Sequence, residues 1–239
     1  ERAAFEGYID AGDAAVREYL ASDDELVQAL RAFDRYIQHD LKEGLVLKAT
    51  FSWILWMSAT QLYLAAVRTA LSSHSAAVFP LIRAALESAA FSYMISQKPE
   101  LEDVWTTRHD GPEALKKHRK TFTFSEAVKG LKQAQPQLYD MAQQIYDGSI
   151  DFGAHPNPKG IMPHVSAADH GDAYELTYTS VHGIGAPEAS RGLCMCLDAG
   201  LAIAGLGAMA LGMEADRMQV DLQRLNDLKN AAVDAYMNE

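Results

Sequence analysis

The chain has 239 residues, of which 49% are hydrophobic, and it carries a formal net charge of -11. That length and apolar content suit one globular unit with a real core and exclude bulk disorder. The acidic balance opposes loose binding to phosphate backbones, which needs an excess of Lys and Arg.

Residues 1–20 read as an amphipathic helix whose apolar residues are Phe5, Tyr8, Ile9, Val16 and Leu20. "SDDE" at residues 22–25 has the pattern of a capping box, with Ser22 accepting from an N-terminal amide and Glu25 reaching back. The helix that follows should stop near Gly44. A third helix is expected over 45–71, with Phe51, Ile54, Leu55, Leu62 and Ala66 on its apolar face. "SSHS" at 72–75 breaks the pattern. A fourth helix runs to Pro99, with Pro80 in its first turns, where the missing N–H costs least. Shorter helices are expected over 100–109, 112–119 and 123–135, the last opened by the capping-box pattern "TFSE". Another runs from Pro136 to about 146.

Residues 147–186 differ, holding six Gly and four of the eight His. "YELTYTSV" alternates and is rich in aromatic and β-branched residues, which predicts a strand over 173–181. "GIMPHVSA" is its expected partner and "ADHGD" the turn. Two long helices close the chain, over 187–213 and 214–236. The sum is a mainly α fold: one domain over 1–239, a bundle of long helices with a small β-hairpin inserted before the penultimate one.

Residues 49–67 and 199–213 carry no charge. The second stretch is shorter than a span needs, and the first holds Ser52, Ser58, Thr60 and Gln61. Both read as core helices, so no membrane partner is expected. Cys194 and Cys196, two positions apart on a helix, project to different sides and cannot pair with each other. Sparse thiols fit a reducing cytoplasm. The one dense basic run, "KKHRK" at 116–120, reads as a solvated helix end. Gly200, Gly205, Gly207 and Gly212 leave room for close helix approach. A GxGxxG fingerprint is missing, so no dinucleotide cofactor is expected.

Arg83 and Glu87 are the only charges between Phe79 and Ile95 and stand one turn apart on one helix face. Charge on a covered face needs company, so they should pair with each other or with a polar group brought from elsewhere. "AHPNP" sets His155 in a Pro-restricted bend with Asn157 placed for a turn. A stiff bend can hold an imidazole in one orientation, as acid–base work or a fixed hydrogen bond requires. Both residues are expected to turn inward toward Arg83 and Glu87. The four-residue set is a candidate ligand-binding cluster, with His155, Arg83 and Glu87 as candidate catalytic groups. His164, His170 and His182 join His155 within the hairpin region, but their spacing matches no standard metal pattern, and no metal is expected.

"LIRAALESAAFSY" and "YDGSIDFGAHPNP" together resemble HEPN-type helical proteins, closer still to uncharacterised bacterial helical families related to them. The resemblance covers roughly residues 62–212. It implies an Arg and a Glu on a central helix, a later helix ending in a Ser/Asp-rich turn and a His-Pro, and self-association into a homodimer. Active members resemble metal-independent ribonucleases that use Arg and His four to six residues apart. Upstream of His155 stand Ser149, Ile150 and Asp151, with no Arg. Arg68 and His74 have the spacing but precede the central helix. The resemblance therefore implies a binding or interaction protein without catalysis. A ribonuclease acting on RNA through His155 and Arg83 is one alternative, and a metal-dependent hydrolase using the hairpin histidines is another.

Overall fold

A computed structural model describes residues 4–43, 50–154 and 156–238. Its elements in chain order are α1 (Ala4–Ala21), α2 (Glu25–Gln38), a 3-10 turn (Asp40–Lys42), α3 (Thr50–Leu71), α4 (Ser75–Gln97), α5 (Leu101–Thr106), α6 (Pro112–Thr121), α7 (Phe124–Val128), α8 (Leu131–Ala134), α9 (Pro136–Ser149), α10 (Pro158–Ile161), β1 (Val165–Asp169), β2 (Tyr174–Tyr178), α11 (Pro187–Leu211) and α12 (Ala215–Met237). The fold is mainly α, and the antiparallel hairpin β1–β2 precedes the last two helices as expected. The expected stop at Gly44 lies outside the described residues.

The centre is a three-helix layer. α3 packs along α4, and α11 lies against both. Trp56, Tyr63, Ile82, Leu86, Leu197 and Ile203 are buried where they meet. Close approach depends on glycine. A Cβ on Gly207 would sit 2.3 Å from the Trp56 ring, and one on Gly200 2.5 Å from the Tyr63 hydroxyl. Gly212 closes α11 in the left-handed region, φ 73°, where Gly is the easiest residue to place. By length and composition α4 and α11 are apolar enough to cross a membrane, yet most of each is buried among other helices.

Several local expectations shift. Asp24, not Ser22, caps α2, accepting from Val27 N at 3.0 Å. The Ser22 hydroxyl instead donates to Tyr19 O and closes α1. Three acceptors in "SDDE" precede the helix, and the third, Asp24, lies next to the first helical residue, Glu25. The buried face of α3 is also turned. Ser52, Leu55, Trp56, Ala59, Tyr63 and Ala66 are inside, while Ile54 is exposed. Ser52 goes inward because it is satisfied there: its hydroxyl donates to Ser92 O (2.9 Å), and the Ser92 hydroxyl donates to Ser52 O (2.7 Å). This reciprocal bond ties α3 to α4.

In α1, Gly12, Ala15, Val16 and Tyr19 are buried, whereas Phe5, Tyr8, Ile9 and Leu20 stay exposed. The single helix expected over 123–135 breaks at Lys129–Gly130 into α7 and α8. Thr123 does cap α7, accepting from Glu126 N. Residues 160–164, expected as strand, are the end of α10 and a 3-10 turn, so β1 starts at Val165 and the connecting turn spans 170–173. The basic run closing α6 is not solvated throughout, because His118 is buried and stacks on Phe122.

Candidate functional site

Arg83 and Glu87 project one turn apart from α4 and do pair. Arg83 Nε donates to Glu87 Oε1 at 3.1 Å. The third member is Tyr146, near the end of α9. Its hydroxyl donates to Glu87 Oε1 (2.9 Å) and accepts from Arg83 Nη2 (3.1 Å). The guanidinium carbon lies 5.3 Å from the Tyr146 ring centroid, and the Phe124 ring stacks on Tyr146 at 4.0 Å and 3°. The cluster thus clamps α9 and α7 to α4.

Burial works against charge on Arg83, but Tyr146 and Glu87 outweigh it and push its pKa further up. Burial, reinforced by the hydrogen bond to Glu87, raises the Tyr146 phenol. Neither group exchanges a proton near neutral pH, so the clamp is a fixed polar joint with no acid–base pair in Arg83 and Tyr146.

His155 lies outside the described residues. Asn157 is the N-cap of α10: its Oδ1 accepts from Gly160 N at 3.2 Å, and its Nδ2 donates to Ile150 O at 3.3 Å. These bonds fold the bend back on the end of α9. Between them the chain makes a π turn over Ile150–Ala154. Gly153 allows the turn to lie on α4, since a Cβ there would meet Ala76 O at 2.8 Å.

The described histidines of the hairpin region, His164, His170 and His182, do not gather as a metal set. His164 Nδ1 and His182 Nε2 are 2.8 Å apart and share one hydrogen bond. His170 reaches Glu175 at 3.3 Å on the exposed strand pair. Among the described residues no three His, Cys, Asp or Glu side chains could hold a metal ion. Burial, then the neighbouring His182, lowers the His164 pKa below its usual 6.5. Arg68 is held by Asp13 at 2.9 Å, and His74 bonds Ser72 and packs its ring on Tyr8, so their spacing carries no shared site.

Among several depressions in the described residues, one lies beside the π turn. A groove of about 470 Å³ is walled by α4, α9, the π turn, α11 and α12. Phe79, Met141, Ile145, Phe152 and Met195 supply its apolar surface, and Phe79 and Phe152 pack ring on ring at 5.7 Å. Polar groups stand at intervals around it. Arg191 lies 5.8 Å from the Phe152 ring and pairs with Glu188 at 3.3 Å. Lys229, its side chain only 17% exposed, donates to Asp198 at 2.8 Å. Arg has five N–H donors and Lys three, so both keep donors beyond these pairs. Cys194 also lines the groove, but burial and Asp198 push its thiol up to about 11, so it is not a thiolate nucleophile at neutral pH. A larger depression on α12 is walled by that helix alone and encloses nothing.

The expected pairing of Arg83 with Glu87 is present, Asn157 caps α10, and none of the three lines the groove; Tyr146 and the groove were not anticipated. One available signal was Arg191, Cys194, Met195 and Asp198 at helical spacing, which puts charge and apolar surface on one face of α11. No family model matches the chain, and neither a curated protein nor a solved structure matches it.

Proposed function

We propose that this chain is a binding protein of the HEPN-like helical class, bacterial and cytoplasmic, self-associating and non-catalytic. The groove beside the π turn is its ligand seat. The observation that carries the reading is the groove itself: its volume lies in the range of small-molecule pockets, it is mainly apolar, and a few charged groups converge on it. Spare donors on Arg191 and Lys229 suit a small ligand with an apolar body and an anionic head. The Arg83–Glu87–Tyr146 clamp holds α9, one wall of that seat, on α4. The central-helix Arg–Glu pair and the bend after α9 support the class assignment.

The experiment uses the fluorescent dye 8-anilinonaphthalene-1-sulfonate, an aromatic anion. Gly148 lines the groove, and a Cβ there meets nothing within 4 Å. The Cβ of Gly148→Leu enters open space, and the rest of the side chain is expected to occupy part of the groove. Saturable dye binding by the native chain, at least about tenfold weaker in Gly148→Leu, is expected from the steric block. Equal binding by both rejects the groove. The ribonuclease alternative is separated by incubating the chain with mixed RNA beside a His155→Ala control. No cleavage by either is expected, and cleavage lost only in the control would reverse the non-catalytic reading.

A further inference from the structure

The hairpin raises a question that the bundle does not answer. Every residue of β2 is exposed, and all of β1 except Val165. Tyr174 is 73% exposed, Leu176 72% and Tyr178 52%. An isolated two-stranded hairpin is marginal in water, and uncovered strand edges invite pairing.

The register defines what the edge offers. Val165 stands opposite Tyr178, Ala167 opposite Leu176 and Asp169 opposite Tyr174. His170 N bonds Ala173 O at one end of the ladder, and Thr179 N bonds His164 O at the other. Bonded and non-bonded pairs alternate in an antiparallel ladder. On β2, therefore, Tyr174, Leu176 and Tyr178 turn their amides and carbonyls outward. They also share one face, because strand side chains alternate. None of these backbone groups has a partner among the described residues. Residues 174–178 hold no Pro and no Lys, the residues that usually block an open edge.

The order Tyr-Glu-Leu-Thr-Tyr is nearly the same read from either end. We propose that the β2 edge pairs antiparallel with β2 of a second copy, about a twofold axis through Leu176, to make a four-stranded sheet. This rests on the self-association read above and specifies its surface; it is independent of the groove. The axis sets Leu176 against the partner's Leu176, and Tyr174 against the partner's Tyr178. Each outward amide and carbonyl of the three residues then has a partner. Glu175 falls opposite the partner's Thr177, so no like charges face each other, although the chain as a whole is acidic. The interface is isologous, as a closed dimer requires.

The test uses the full chain. Sedimentation equilibrium should show a native dimer. Leu176→Pro removes an outward N–H together with the leucine side chain and leaves the hairpin's own ladder bonds in place. It should weaken dimerisation at least about tenfold with the helical circular dichroism unchanged. Leu176→Cys should give a disulfide-linked dimer on mild oxidation, since a bonded antiparallel pair has Cα atoms about 5.5 Å apart, within disulfide reach. Ser166→Cys, on the far strand, should not. A native chain that stays monomeric overturns both the surface and the self-association reading. An undiminished dimer in Leu176→Pro, with no cross-link at 176, overturns the surface alone.

Discussion

Trp56 and Tyr174 are both large aromatic residues, yet one is wholly buried under Gly207 and the other is 73% exposed on the hairpin. The two regions they belong to are held by different means. In the α3–α4–α11 layer, packing leaves no space for a methyl group at Gly207, and hydroxyls such as Ser52 and Ser92 satisfy each other. Among the described residues, the segment from the π turn through the hairpin meets the body through Phe152 and Gly153 on α4 and His182 N on Ser73 O, and is braced within itself by Asn157 on Ile150 and His164 on His182. The first region carries the fold's stability. The second is free to present surface, and the groove lies where the two meet.

Substitutions sharpen this contrast, and the core should respond most. Gly207→Ala drives a Cβ into the Trp56 ring at 2.3 Å. Overpacking of this kind should cost about 2–3 kcal/mol, read as a lower urea midpoint. Gly148→Ala, in open space on α9, should instead leave stability unchanged or raise it by up to about 1 kcal/mol through helix propensity. A similar loss from both would mean that the Gly207 contact is not special.

The clamp should rank next. Tyr146→Phe keeps the ring on Phe124 and Arg83 but removes the hydroxyl that links Glu87 to Arg83. A loss of about 1 kcal/mol is expected in urea unfolding, moderated by the partial exposure of the pair. A neutral result would show the ring contacts alone holding α9.

Acid should act on the point where the hairpin is tied to the body. Burial and then His182 depress the His164 pKa, as does the Arg191 charge nearby, while Glu188 opposes the shift. The unfolded chain therefore binds a proton first as pH falls through 6.5. Stability is full above that pH and declines below it, toward the folded-state pKa. His118, lowered by burial and the Arg108 charge, adds to the same decline. His164→Gln should reduce the fall in urea midpoint between about pH 7.5 and 5.5, leaving the His118 part. An unchanged slope would show that the His164–His182 bond does not resist protonation. The smallest effect is expected at the hairpin face, where Tyr174→Ser should change the monomer's stability by less than about 0.5 kcal/mol.

What was legible in the sequence follows the same division. Arg83 and Glu87 stood out because they are alone on an apolar helix, and the hairpin because its residues alternate. Tyr146 did not, since a tyrosine on an amphipathic helix gives no linear sign of the pair it will meet on another. The α3 face was read one step off because a buried serine looks polar until its partner on α4 is known. The groove is assembled from α4, α9, the π turn, α11 and α12, and no single segment encodes it. In the expected cluster, His155 lies outside the described residues, and the third group found at the pair is Tyr146.

The nine methionines supply the most direct test of the proposed ligand seat. Met141 and Met195 line the groove, while Met57, Met162 and Met237 are exposed elsewhere. Methyl NMR of methionine-labelled chain should be recorded during titration with the anilinonaphthalene dye. Met141 and Met195 should shift together along one saturating curve while the three exposed methyls stay fixed. Shifts confined to the exposed methyls, with Met141 and Met195 unmoved, would contradict the account.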